Sequence, residues 1–168
     1  SHGFGPGAKA VKKYILEIEA LGNDLSAFTP EACTVLRNHL KDAQKAAAGN
    51  DTARRRIDFL RMGLELTSLT AAANRMAVEA EQGKPVDKDE AREILDRRWI
   101  LMRHIFRTYP MAVNVAVVAA NNGRNQAAWR KHLGWKGPSE DVKQRMGNVA
   151  NQDDWLHEDQ TDWADAVK

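Results

Sequence analysis

The sequence predicts an all-α fold: an antiparallel helical bundle around a long central helix, followed by a partly extended acidic C-terminal tail. Three observations carry this. Apolar residues recur with a period near 3.6 through most of the chain. Ala, Leu, Arg, Lys and Glu, all good helix formers, dominate the composition. Capping residues, Pro and Gly fall at the ends of the periodic segments. Hydrophobic residues make up 43% of the 168 residues and charged residues 29%, a globular rather than a disordered balance. A chain of this length buries roughly 70% of its unfolded surface and needs neither disulfide nor metal to fold.

Residues 1–7 read as a flexible lead-in or linker, rich in glycine at Gly3, Gly5 and Gly7. A first helix over about Ala8–Leu21 places Val11, Tyr14, Ile15, Ile18 and Leu21 on one face, with Gly22 as its C′ residue. Thr29-Pro30 reads as N-cap and N1 of a second helix, because proline's missing N–H costs nothing there. Its apolar face is Ala32, Leu36, Leu40, Ala43 and Ala47, and Gly49 stops it.

Asn50 or Asp51 caps a third helix reaching about Gln82. One apolar stripe along it is Ile57, Leu60, Leu64, Thr67, Ala71; a neighbouring one is Phe59, Met62, Leu66, Leu69, Ala73, Met76. So wide an arc makes this the central helix, in contact with at least two others, and makes Leu64 and Leu66 both structural. Gly83 and Pro85 end it. Asp87 to Glu90 has the D-x-x-E form of a capping box. The fourth helix follows, with Ala91, Ile94, Leu95, Leu101, Met102, Ile105 and Phe106 inward and a break at Pro110. Residues 111–120 read ambiguously, with Val113, Val115, Val117 and Val118 alternating like a strand, but their alanines and the lack of a strand partner elsewhere favour helix. Asn121-Asn122-Gly123 is a turn signal. A short helix over about Asn125–Leu133, a loop over Gly134–Pro138 and a last segment capped by Ser139 complete a bundle spanning residues 8–150.

Residues 151–168 form an acidic, Trp-containing tail. The chain totals 25 basic and 23 acidic residues; the tail takes six acids and one base of these, leaving the body near +7 and the tail near −5. Trp155 and Trp163, eight apart, share a helical face and staple the tail to the body.

The sequence nominates no catalytic residue, no cofactor-binding residue and no metal ligand, and it implies no cofactor. His157-Glu158 begins the zinc-protease pattern, but Thr161 stands where its second histidine belongs. Asp153 and His157 read as part of a solvated acidic face. Gly3-Phe4-Gly5-Pro6-Gly7 lacks the lysine and hydroxyl of a phosphate loop. Cys33, the single cysteine, lies in an apolar stripe and reads as a buried, inert thiol. It sets no redox compartment. Arg54-Arg55-Arg56, Arg97-Arg98 and Arg124 with Arg130-Lys131 alternate with acids at helical spacing and the net charge is only +2. They read as solvated, salt-bridged faces rather than a nucleic-acid surface. Of the five tryptophans, Trp99 and Trp129 read as helix-packing residues. No run is apolar enough to cross a membrane. The opening Ser1-His2-Gly3, without an initiator Met, reads as an expression scar or as a cut from a longer protein.

The segment Gly3-Phe4-Gly5-Pro6-Gly7-Ala8-Lys9-Ala10-Val11-Lys12-Lys13-Tyr14 resembles the junction between barrel and C-terminal helical region in large bacterial glycoside-hydrolase-like proteins, whose barrels are α-glucuronidase-like or hexosaminidase-like. Thr29-Pro30-Glu31, Ala43 to Gly49, and Arg54-Arg55-Arg56-Ile57-Asp58-Phe59-Leu60 through Thr67 are similar too, so the resemblance covers roughly residues 3–80. It implies a non-catalytic module that buttresses an upstream catalytic barrel or mediates dimer contacts with a second subunit. The parent would act on carbohydrate in a secreted or periplasmic setting, with its catalytic acids upstream of Ser1. A free-standing helical protein-interaction module is the alternative.

Overall fold

The computed structural model describes residues 3–109, 123–140 and 142. The fold is all-α, with no strand among the described residues. Its helices are α1 (Ala8–Leu21), α2 (Pro30–Ala46), α3 (Asp51–Glu81), α4 (Lys88–Thr108) and α5 (Gly123–Leu133). The chain divides into two compact units, Ser1–Ala71 and Ala72–Lys168, with α3 passing from one into the other. The expected helix over 111–120, the Asn121-Asn122 turn, the Phe106 and Arg124 side chains, and the whole tail with Asp153, His157, Trp155 and Trp163 lie outside the described residues.

Helix boundaries follow local chemistry. Gly22 closes α1 at φ +68°, its N–H donating to Ile18 and Glu19 carbonyls. The Thr29 hydroxyl accepts from the Ala32 N–H at 3.2 Å, with Pro30 at N1. The Asn50 side chain accepts from Ala53 N–H at 3.0 Å and so caps α3. At its far end Gly83 is left-handed (φ +77°), and the Lys84 and Gly83 N–H groups donate back to the Glu79 and Ala80 carbonyls. That pair of bonds is a Schellman motif, which satisfies carbonyls the helix leaves open. The expected capping box at α4 forms on one side only among the described residues. Asp87 accepts from the N–H groups of Asp89 and Glu90, while Glu90 stays exposed to water.

In the first unit, Val11 and Tyr14 of α1 pack with Cys33, Leu36, Leu40 and Ala43 of α2 and with Ala53, Ile57, Leu64 and Ala71 of α3. Gly7 sits against Ala43, late in α2, and Tyr14 lies beside Cys33, early in it, so α1 and α2 run antiparallel. Ile15 departs from its expected place: it is 42% exposed, with Leu16 beside it at 53%. Tyr14 and Ile15 are 100° apart on the helix, and Tyr14 takes the inward position. Leu64 is buried, whereas Leu66 is half-buried, so the two stripes of α3 are not equally covered. Arg37 donates to both Glu65 carboxylate oxygens, through Nε at 2.6 Å and Nη2 at 2.7 Å, and Nη2 also donates to the Ser68 hydroxyl at 2.9 Å.

Within the lead-in, residues 3–7 make specific contacts with the first unit. Gly5–Gly7 form a 3₁₀ turn, Phe4 packs against the first core, and Gly7 is buried. The Arg56 guanidinium donates to the Gly3 carbonyl at 2.6 Å.

In the second unit, Ala73 and Ala77 of α3, Ala91 and Leu95 of α4, and Trp129, Leu133 and Trp135 form the core, with Met76, Ile94 and Trp99 packed against it.

Candidate functional site

The second unit holds the most chemically distinctive group of side chains. Trp129 is fully buried, and its indole N–H donates to Asn74 Oδ1 at 2.8 Å. Arg98, expected on a solvated face, is only 1% exposed, and Arg103 only 3%. The reason lies in spacing: Arg98 falls three residues after Leu95 and three before Leu101, on the inward stripe of α4. Its guanidinium lies 5.2 Å from the Trp129 ring centroid, a cation–π contact that offsets part of the cost of burial. Burial lowers the Arg98 pKa to about 10, so the group stays cationic at neutral pH. Arg54, Arg55 and Arg56 do lie at the surface as expected.

At the end of α5 the chain turns at Gly134 (φ +70°), and Trp135 N–H donates to the Trp129 carbonyl at 3.2 Å. This folds the Trp135 indole back onto the core. It stands edge-on to Trp129 (centroids 5.9 Å, planes at 87°) and stacks on Trp99 (6.5 Å, 18°). The Arg130 guanidinium lies 6.0 Å from the Trp135 ring centroid. Asp96 of α4 accepts from the Ser139 N–H at 2.9 Å, pinning the loop, and the Ser139 hydroxyl accepts from Val142 N–H at 3.3 Å, the cap expected there.

Between this loop and the start of α4 lies a cleft of about 360 Å³. Leu95, Leu133, Trp135 and Pro138 give it apolar walls; Lys88, Arg92 and Lys136 bring positive charge and Glu140 one negative charge. Arg92 pairs with Asp89 at 3.2 Å, on exposed groups where such a pair contributes little. The Trp135 indole N–H is buried and finds no acceptor among the described residues. Sequence reasoning missed this place. Residues 134–138 read only as a loop, and neither Lys88 nor Arg92 belongs to a motif.

Cys33 is buried, as expected, its thiol 3.8 Å from the Phe28 carbonyl. Among the described residues no group of three His, Cys, Asp or Glu side chains could hold a metal ion, and no helix is long and apolar enough to cross a membrane. No known protein family, curated protein or solved structure matches the chain.

Proposed function

We propose that this chain is a non-catalytic helical module of a larger carbohydrate-active, glycoside-hydrolase-like protein, acting through contact by buttressing an upstream barrel or a second subunit. One observation supports it above the others. The glycine-rich segment that resembles the family's junction is welded to the first unit. Gly7 is closed in by the Ala43 carbonyl and Ile57, Phe4 packs on the core, and Arg56 holds the Gly3 carbonyl. A domain joined through such a segment is held at a fixed point of the module rather than swinging on a linker, which is what a buttress requires. Further along α1, the exposed pair Ile15 and Leu16 offers apolar area for such a contact.

The test takes the segment encoded upstream of this chain and expresses it separately from the module. Size-exclusion chromatography with light scattering on the mixture is expected to show a stable complex. A panel of aryl glycosides is expected to be turned over by the upstream segment and not by the module. Turnover by the purified module, lost on replacing one of its own carboxylates, would overturn the reading. So would a gene with no barrel upstream.

A further inference from the structure

We propose that the cleft between the start of α4 and the loop after α5 is a binding site for a small organic anion, an acidic head group on a flat apolar body. This goes beyond the module reading and does not rest on it. Two features point to such a ligand. The walls divide by chemistry: Leu95, Leu133 and the Trp135 indole are apolar, while Lys88, Arg92 and Lys136 supply three cations against the Glu140 carboxylate and the Asp89 carboxylate that pairs with Arg92. An apolar pocket with a few converging polar groups, of about 300–1,000 Å³, is the usual form of a small-molecule site. A volume of about 360 Å³ lies at its lower end, enough for a one- or two-ring compound.

The second feature is the Trp135 indole N–H. Buried donors are nearly always paired, and the other core tryptophan of this unit, Trp129, is paired with Asn74. Trp135 is held in place by stacking on Trp99, by its edge-on contact with Trp129 and by its own backbone bond, yet its N–H has no acceptor among the described residues. The indole ring walls the cleft while its N–H is closed off from water, so an anionic oxygen bound in the cleft supplies the missing acceptor once the loop gives by a small amount. The loop is fixed to α4 by the Asp96–Ser139 bond, which limits the ordering that binding requires.

Carboxylates and phosphate monoesters share this chemistry, and the probes separate them. The full chain is titrated with 2-naphthoate, 2-naphthyl phosphate, the neutral analogue 2-naphthamide and inorganic phosphate. Heats are followed by calorimetry, and the tryptophan indole N–H resonances by NMR. The Trp135 resonance is identified as the one missing from Trp135→Phe. One or both naphthyl anions are expected to bind and move that resonance, with naphthamide at least about tenfold weaker, since a hydrogen bond to an ionised acceptor is roughly twice as strong as a neutral one. The stronger of the two anions names the head group. The double variant Lys88→Glu, Lys136→Glu alters only exposed side chains and is expected to weaken binding about tenfold or more, with salt acting in the same direction. Equal binding of the amide, an unmoved Trp135 resonance, or undiminished binding by the double variant overturns the proposal. Binding of inorganic phosphate alone also overturns it, because the apolar walls would then play no part. A response to an added peptide of residues 151–168 with none to the naphthyl anions assigns the cleft to an acidic polypeptide instead.

Discussion

Replacing Gly7 by Ala tests how the lead-in is attached. Gly7 has φ −76° and ψ −8°, so an L-residue suffers no backbone strain there. The obstacle is space. A Cβ at this position would lie 2.8 Å from the Ala43 carbonyl oxygen and 3.1 Å from Ile57 Cδ1. The Ile57 methyl can rotate away, but the Ala43 oxygen is helix backbone and accepts a bond from the Ala47 N–H at 2.9 Å, so it moves only if α2 shifts. Overpacking of this kind costs about 1–3 kcal/mol. With a urea dependence of about 2 kcal/mol per molar, the unfolding midpoint should fall by about 0.5–1.5 M. The control is Gly63→Ala: Gly63 sits exposed within α3 with nothing within 4 Å of a new Cβ, and there alanine should add about 0.5–1 kcal/mol. Both are measured by circular dichroism during urea unfolding. Opposite shifts support the packing described here. A Gly7→Ala midpoint equal to wild type would show a lead-in free of α2 and refute the rigid joint.

Leu64→Ala should cost about 2–5 kcal/mol, as for a fully buried leucine, and Leu66→Ala less than half of that; equal losses in the same urea experiment would mean that the two stripes of α3 are equally covered. Trp129→Phe removes the bond to Asn74 and part of a buried ring and should cost about 2–4 kcal/mol. Its cost should shrink in an Asn74→Leu background, and strict additivity would deny the bond. Burial raises the Tyr14 pKa to about 12, with Cys33 and Glu65 adding to the rise. The neutral phenol is thus favoured in the folded chain: the stabilisation is complete below pH 10, the unfolded value, and is lost as pH rises toward 12. In Tyr109→Phe the tyrosinate absorbance should appear well above pH 10 while the fold persists; a midpoint near 10 in folded protein would place Tyr14 in water.

The local part of this structure was legible because its chemistry spans only a few residues. Thr29-Pro30 is a start signal wherever the rest of the chain lies, since the Thr29 hydroxyl reaches the Ala32 N–H within one turn. Gly22 and Gly83 stop helices because both take φ values that side chains resist. The stripe Ile57, Leu64, Ala71 was visible as a seven-residue repeat and is buried as a unit. Half of the Asp87 box failed for an equally local reason: the exposed Glu90 has water as an alternative partner.

What the sequence determined by itself, then, is the all-α class, the helix ends and most inward-facing residues, because propensity, capping and periodicity are properties of neighbours along the chain. Only the tertiary structure decided that Gly7 is buried, through groups whose positions depend on two other helices; that the guanidinium at 98, on the inward stripe of α4 by its spacing, meets an indole from α5 there; and that Trp135 walls a cleft. These contacts join distant parts of the chain: Arg56 reaches Gly3 across 53 residues, Trp129 reaches Asn74 across 55, and Ser139 reaches Asp96 across 43. No periodicity encodes such pairings. They arise when burying the apolar stripes brings polar groups together and leaves each to find a partner out of water.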